Sequence, residues 1–143
     1  MSKILILNGP NLNLLGRREP DVYGSASLAD LERALTTKFP SAELEFFQTN
    51  SEEELISKLH QAFEAKSDVV LNPAALTHYS YALRDACAVL TTSKLRLIEV
   101  HISNPHAREE FRHNSVISGV ATGVIAGFGL SSYELAVSWL LAN

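Results

Sequence analysis

Ile4-Leu5-Ile6-Leu7-Asn8-Gly9-Pro10-Asn11-Leu12-Asn13-Leu14-Leu15-Gly16-Arg17-Arg18-Glu19-Pro20-Asp21-Val22-Tyr23-Gly24 runs from an apolar tetrad directly into a polar loop. Four consecutive aliphatic residues, bounded by turn-forming Asn-Gly-Pro, read as a strand buried on both faces. The loop behind it holds amides, two guanidiniums and a phenol, which a mere chain reversal does not require. Strand ends followed by such loops are where α/β proteins place their chemistry.

Four more β-rich segments extend this reading: Glu43–Phe47, Asp68–Leu71, Leu95–Val100 and Val120–Ala126, alongside the first at Lys3–Leu7. Helical spacing separates them. Ser27-x-x-Asp30, Ser51-x-x-Glu54 and Ser131-x-x-Glu134 have the form of capping boxes ahead of apolar residues three and four apart, and Thr77 precedes a further pattern from Tyr81. Only the fourth connection is shorter, a turn around His106–Phe111. Strands alternating with helices imply a parallel sheet covered on both faces. The expected fold is therefore α/β and flavodoxin-like, with five parallel strands in doubly wound order. Residues 1–143 read as a single domain, long enough to bury about 70% of the unfolded surface.

Past the strand ends stand Asn8-Gly-Pro-Asn11, Gln48-Thr-Asn50, Asn72-Pro-Ala-Ala-Leu-Thr77-His78, His101-Ile-Ser103-Asn104 and Gly127-Phe-Gly129. A parallel sheet brings all of them to one edge, where open α/β sheets bind ligands. A net charge of −4 argues against nucleic acid as partner. Arg17, Arg18, Arg108 and Arg112 still allow a local site for a small anion. A single cysteine, Cys87 in a helical apolar pattern, points to a reducing compartment and a buried packing role. The short N-terminal apolar run does not resemble a secretory signal, and no stretch has membrane-span length. A cytoplasmic protein is expected.

The five histidines (His60, His78, His101, His106, His113) are scattered without metal-ligand spacing, so no metal is expected. No G-x-S-x-G elbow supports a serine hydrolase. Gly127-Phe-Gly129-Leu-Ser-Ser132 is half of a dinucleotide fingerprint and reads better as a tight strand-to-helix turn. Proton transfer is what the rim offers. His101, between Glu99 and Ser103 at a strand end, suits general acid/base work near neutrality. Tyr23 follows Arg18 by five residues, and a guanidinium folded back on the ring would favour the phenolate. By spacing alone, Tyr23 is equally a packing residue.

Three blocks, N-G-P-N-L-N-L-L-G-R-R-E-P-x-x-Y-G, L-N-P-A-A-L-T-H-x-S-x-A-L-R-D-A and I-E-V-H-I-S-N-x-x-x-R-E-x-F-R, together resemble type II 3-dehydroquinate dehydratase over essentially the whole chain. The resemblance implies a cofactor-free enzyme of the shikimate pathway that converts 3-dehydroquinate to 3-dehydroshikimate through an enolate. It implies a homo-oligomer, a dodecamer built from trimers. By motif position, Tyr23 would be the base, ionised with help from Arg18, and Asn11 would hold a water at the enolate. His101 would be the acid, with Glu99 orienting it. Asn72, His78, Ile102, Ser103 and Arg112 would bind substrate, Arg108 would help close the site, and Asp85 would reach a neighbouring subunit's pocket. Gly16–Gly24 would form a lid. Ser51, Glu53, Leu76, Asn114 and Glu134 depart from residues common in the family, with Glu134 fitting a capping role. A flavin- or nucleotide-binding module on the same fold, and a non-catalytic interaction domain with the arginines on its surface, are the alternatives.

Overall fold

Ile4 and Ile6 pack on one face of a sheet while Leu5 and Leu7 pack on the other, because successive side chains of a strand alternate. The computed structural model describes all residues 1–143. Its strands are β1 (Lys3–Asn8), β2 (Glu43–Gln48), β3 (Asp68–Asn72), β4 (Leu97–His101) and β5 (Gly123–Ala126). All pairings are parallel, in the order β2-β1-β3-β4-β5. This is the flavodoxin-like doubly wound order.

The helices are α1 (Pro20–Tyr23), α2 (Leu28–Lys38), α3 (Glu52–Ala65), α4 (Tyr81–Thr92) and α5 (Ser131–Ala142). Leu31 and Leu35 of α2 join Tyr133, Ala136, Val137 and Leu140 of α5 over Ile4, Ile6, Val70 and Val100. On the other face, Leu55 and Leu59 of α3 and Leu83, Cys87 and Leu90 of α4 cover Leu5, Leu7, Val69, Leu71 and Leu97. Each fully buried aliphatic side chain contributes about 1.5–3 kcal/mol. Cys87 is one of these packing residues, and burial pushes its thiol up to about 12.

Several local signals resolve differently from their sequence reading. Ser27 and Asp30 form a complete capping box, whereas Ser51 caps α3 alone and Glu54 bonds the Thr49 hydroxyl instead. Ser80, not Thr77, caps α4, because Thr77 sits in a 3-10 turn (Ala74–His78) that aims its hydroxyl at Glu99. Ser131 is already inside α5, so Ser131-x-x-Glu134 makes no box, and Glu134 pairs with Lys38. β4 starts two residues late because the Arg96 N–H and guanidinium bond Asp68. β5 starts at Gly123, since Ser118–Val120 is a 3-10 turn. The connection around His106–Phe111 consists of two such turns, Pro105–Ala107 and Glu110–His113.

Candidate active site

β1 and β3 end side by side, with Asn8 opposite Asn72, and their following loops diverge toward opposite faces. That divergence is the topological switch point at which open sheets form a ligand crevice. Both asparagines are buried and tied to the same phenol. Asn72 Nδ2 donates to Tyr133 Oη at 2.8 Å, and Tyr133 Oη donates to Asn8 Oδ1 at 2.5 Å. Burial raises the Tyr133 hydroxyl well above its ordinary value, so it stays protonated and can serve both. Asn72 Oδ1 accepts the Ala74 N–H at 3.0 Å and holds Ala74 at a φ of +53° on the crevice wall. A non-glycine residue in that region is strained, and such strain concentrates at functional sites.

The loop after β1 is fastened at its root. Gly9 donates its N–H to the Asn72 carbonyl at 2.8 Å, and a Cβ on Gly9 would stand 2.9 Å from the Pro73 oxygen. The Asn11 N–H, at a φ of +71°, is taken by Asn50 Oδ1 at 2.9 Å. From there the chain passes Gly16 (φ +92°) and the single turn of α1 to Gly24 (φ +83°). The turn brings Tyr23 back over the crevice. Arg18 Cζ lies 4.8 Å from the centre of the Tyr23 ring, and Arg108 Cζ lies 5.2 Å from it. Two cations therefore flank one half-buried phenol.

Glu99 is fully buried in the middle of an apolar strand. A carboxylate there needs a full set of donors. Its Oε2 accepts from His101 Nε2–H at 2.6 Å and from the Thr77 hydroxyl at 2.5 Å, while Ser118 donates to Oε1 at 2.5 Å and Ser115 spans both oxygens. Burial alone would raise this carboxyl, but the hydrogen bond and charge of His101, with the Ser118 and Thr77 hydroxyls, outweigh it and hold the group below the ordinary carboxylate range. With Nε2–H committed to the carboxylate, Nδ1 is the ring nitrogen left for the crevice.

Beyond β4, the N–H groups of Ile102 and Ser103 have no acceptor within the chain. Arg108 reaches Ser103 Oγ at 3.2 Å, Arg112 Nε donates to Glu109 at 3.0 Å, and His78 Nδ1–H donates to the Asn114 carbonyl at 2.8 Å. These groups meet in one crevice of about 180 Å³. Ten of the twelve residues singled out from sequence line it: Asn11, Arg18, Tyr23, Asn72, His78, His101, Ile102, Ser103, Arg108 and Arg112. Glu99 stands behind His101. Asp85 points away on the outer face of α4, its side chain 82% exposed. Arg17 is exposed and outside the crevice. No cluster of three or more His, Cys, Asp or Glu residues has metal-site geometry.

Sequence reading passed over Thr77, Ser115 and Ser118 as partners of Glu99, and Tyr133 as the tie between strand ends. A glutamate inside Leu97-Ile98-Glu99-Val100 was the available signal, since a carboxylate in a buried strand demands donors from elsewhere. Of the residues expected to differ from the resembled pattern, Leu76 is buried in the core, Ser51 caps α3, and Asn114 contributes its carbonyl to His78.

The family model described as Dehydroquinase class II matches residues 2–141. A 3-dehydroquinate dehydratase of Bacillus licheniformis is 57% identical over 143 aligned residues, covering 99% of this chain and 97% of the relative. Another from Chlorobaculum tepidum is 53% identical, covering 99% and 95%. The crystal structure of a type II dehydroquinase from Propionibacterium acnes superposes with a TM-score of 0.95 at 49% identity, covering 100% of this chain and 98% of that one.

Proposed function

The chain belongs to the class II dehydroquinase family, and from that membership we propose a 3-dehydroquinate dehydratase whose base is Tyr23 and whose acid is His101. The observation that carries the assignment is the convergence of a phenol between two guanidiniums and an imidazole on a buried carboxylate in one crevice. The two functions match a β-elimination. Tyr23, as phenolate, takes the proton from C2, which the adjacent C3 ketone acidifies. The electrons collect on the ketone oxygen as an enolate, which a water held by Asn11 stabilises. When the enolate collapses, the C1–OH bond breaks and His101, entering the cycle as imidazolium with its Nε2–H on Glu99, gives up its Nδ1 proton so that the hydroxyl leaves as water and a neutral imidazole remains. The C1=C2 double bond that forms is conjugated with the ketone. Tyr23 then returns its proton through solvent to His101, so the cycle balances without a redox partner.

Arg18 and Arg108, at 4.8 and 5.2 Å from the ring centre, place two positive charges beside the proposed base. The free N–H groups of Ile102 and Ser103 suit the substrate carboxylate, with His78, Asn72 and Arg112 arrayed for the carboxylate and hydroxyls. Asn72 has one amide hydrogen left for this, because its oxygen and its other hydrogen are taken by Ala74 and Tyr133. Closure of the Gly16–Gly24 lid would exclude water from the enolate. A flavin or nucleotide carrier finds less support in the same loop. Such a role needs backbone N–H groups turned to phosphate, whereas the N–H groups of Gly9 and Asn11 are bound to Asn72 and Asn50.

The wider reading includes a place in the shikimate pathway, a cytoplasmic location and a dodecamer of trimers. No helix is long and apolar enough to cross a membrane. Tyr81 and Val89 are exposed on α4 on either side of Asp85, one turn apart, and this stripe suits a subunit contact that carries Asp85 into a neighbouring pocket. The test of function is near-UV absorbance after 3-dehydroquinate is added to the protein. Growth of the enone band supports the reading, and silence from folded protein overturns it.

A further inference from the structure

We propose that Thr77, Ser115 and Ser118 are positioning residues of the acid, a hydroxyl cage that holds buried Glu99 as a fixed carboxylate so that His101 turns Nδ1 to the substrate. The inference rests on His101 being the acid, and it adds three residues that make no hydrogen bond to the imidazole and do not line the crevice. A carboxylate offers about four acceptor positions. Here they receive the imidazole N–H and three hydroxyls, at 2.6 Å from His101, 2.5 Å from Thr77, 2.5 Å from Ser118, and 3.0 and 3.2 Å from Ser115. With Glu99 fully buried, each donor removed leaves charge on a poorly solvated oxygen.

The hydroxyls are themselves fixed. Ser115 Oγ accepts the N–H groups of Ile117 at 3.1 Å and Ser118 at 3.0 Å, so it can only donate to its remaining neighbours, the carboxylate and Thr77 Oγ1 at 2.9 Å. The Thr77 carbonyl takes the Val116 N–H at 2.7 Å, docking the turn after β3 onto the segment that carries both serines. Three separate segments thus meet at one buried charge.

Other titratable groups surround the pair. Cys87 of α4 lies on the core side of Glu99, and its burial keeps it a neutral thiol. On the crevice side, His101 faces His78 from the turn after β3, and Tyr23 and Arg18 from the lid. The segment after β4 adds Arg108 and Arg112, with His106 and His113 lining a second recess next to Glu99. None of these reaches Glu99 with a hydrogen bond, so its donors are His101 and the three cage hydroxyls alone.

The experiment follows the Glu99 carboxyl carbon by 13C NMR against pH, with kcat and KM measured on the same samples. The variants are Thr77→Val, Ser118→Ala and Thr77→Ser. Thr77→Val keeps the shape and removes one donor, and Ser118→Ala removes another. Each should raise the Glu99 titration by about one pH unit. Each should also lower kcat about tenfold and leave KM within about twofold. Thr77→Ser, which keeps the hydroxyl, should restore both. An unmoved Glu99 titration in Thr77→Val and Ser118→Ala proteins with parent-like near-UV circular dichroism overturns the cage. A parent that turns over no 3-dehydroquinate defeats the dehydratase reading instead, while the carboxyl titration still decides whether the hydroxyls govern Glu99.

Discussion

The two groups proposed for proton transfer are built in opposite ways. Tyr23 rides on a single helical turn between two left-handed glycines, half exposed, with cations stacked against its ring. His101 ends a central strand and is bonded to a carboxylate that no solvent reaches. Charge near an exposed ring is screened by water and acts more strongly where water is excluded, so a base at Tyr23 would depend on closure of the loop. An acid at His101 would be set before substrate arrives, because its carboxylate partner is fixed when the chain folds. Preorganisation at the strand end, with adjustment on the loop, would let one crevice admit substrate and still hold a reactive geometry.

Tyr23→Phe is the hardest test of the loop side. Loss of the base should lower kcat about 10³-fold, read from the enone absorbance, with no change in thermal stability because the hydroxyl bonds nothing in the fold. A large drop in Tm would show that the loop is as structural as the strand end. Glu99→Gln tests the other side and should cost both function and fold. We expect kcat to fall about 10²-fold and stability to drop by about 1–3 kcal/mol, since the amide offers N–H where the hydroxyls donate.

The sign of its pH dependence follows from the depressed Glu99 carboxyl. A group titrating lower in the folded than in the unfolded state binds fewer protons when folded. Its stabilisation is full above the ordinary carboxylate range, about pH 4–5, and is lost as pH falls through the depressed value. A Tm-against-pH series should therefore show an acid slope that is steeper in the parent than in Glu99→Gln. Equal slopes would mean that the strand end is no more electrostatically organised than the loop.

Arg18→Ala should reduce kcat about tenfold with little loss of stability, and added salt should narrow the gap between parent and variant, as expected for a screened contact. Tyr133→Phe sharpens the contrast beneath the crevice. Removing the hydroxyl leaves Asn8 Oδ1 buried without its donor and should lower stability by about 1–3 kcal/mol in denaturant melts, with a smaller effect on kcat. Ser27→Ala, remote from both regions, removes the capping box of α2 and should lower stability by about 1 kcal/mol with unchanged turnover.

Much of this was written in local sequence. Two-sided apolar runs such as Ile4–Leu7 specify strands, three-and-four spacing after Ser27 or Ser51 specifies helices, and their alternation leaves few arrangements besides a parallel doubly wound sheet. The polar residues after each strand were legible for the same reason, because parallel strands send all their carboxyl ends to one rim. Tertiary structure decided what spacing is silent about. Thr77 looks like a cap and is a partner of Glu99, Glu134 looks like a cap and pairs with Lys38, and Tyr133 looks like core and ties Asn8 to Asn72. Periodicity reports which face of its own element a residue occupies, and a hydrogen bond across 125 residues of chain depends on where two elements meet. The sequence by itself determined the sheet, its edge and the kinds of groups delivered there. Only packing decided which hydroxyl faces the buried carboxylate, because that choice is made by burial and donor geometry between segments that share no local pattern.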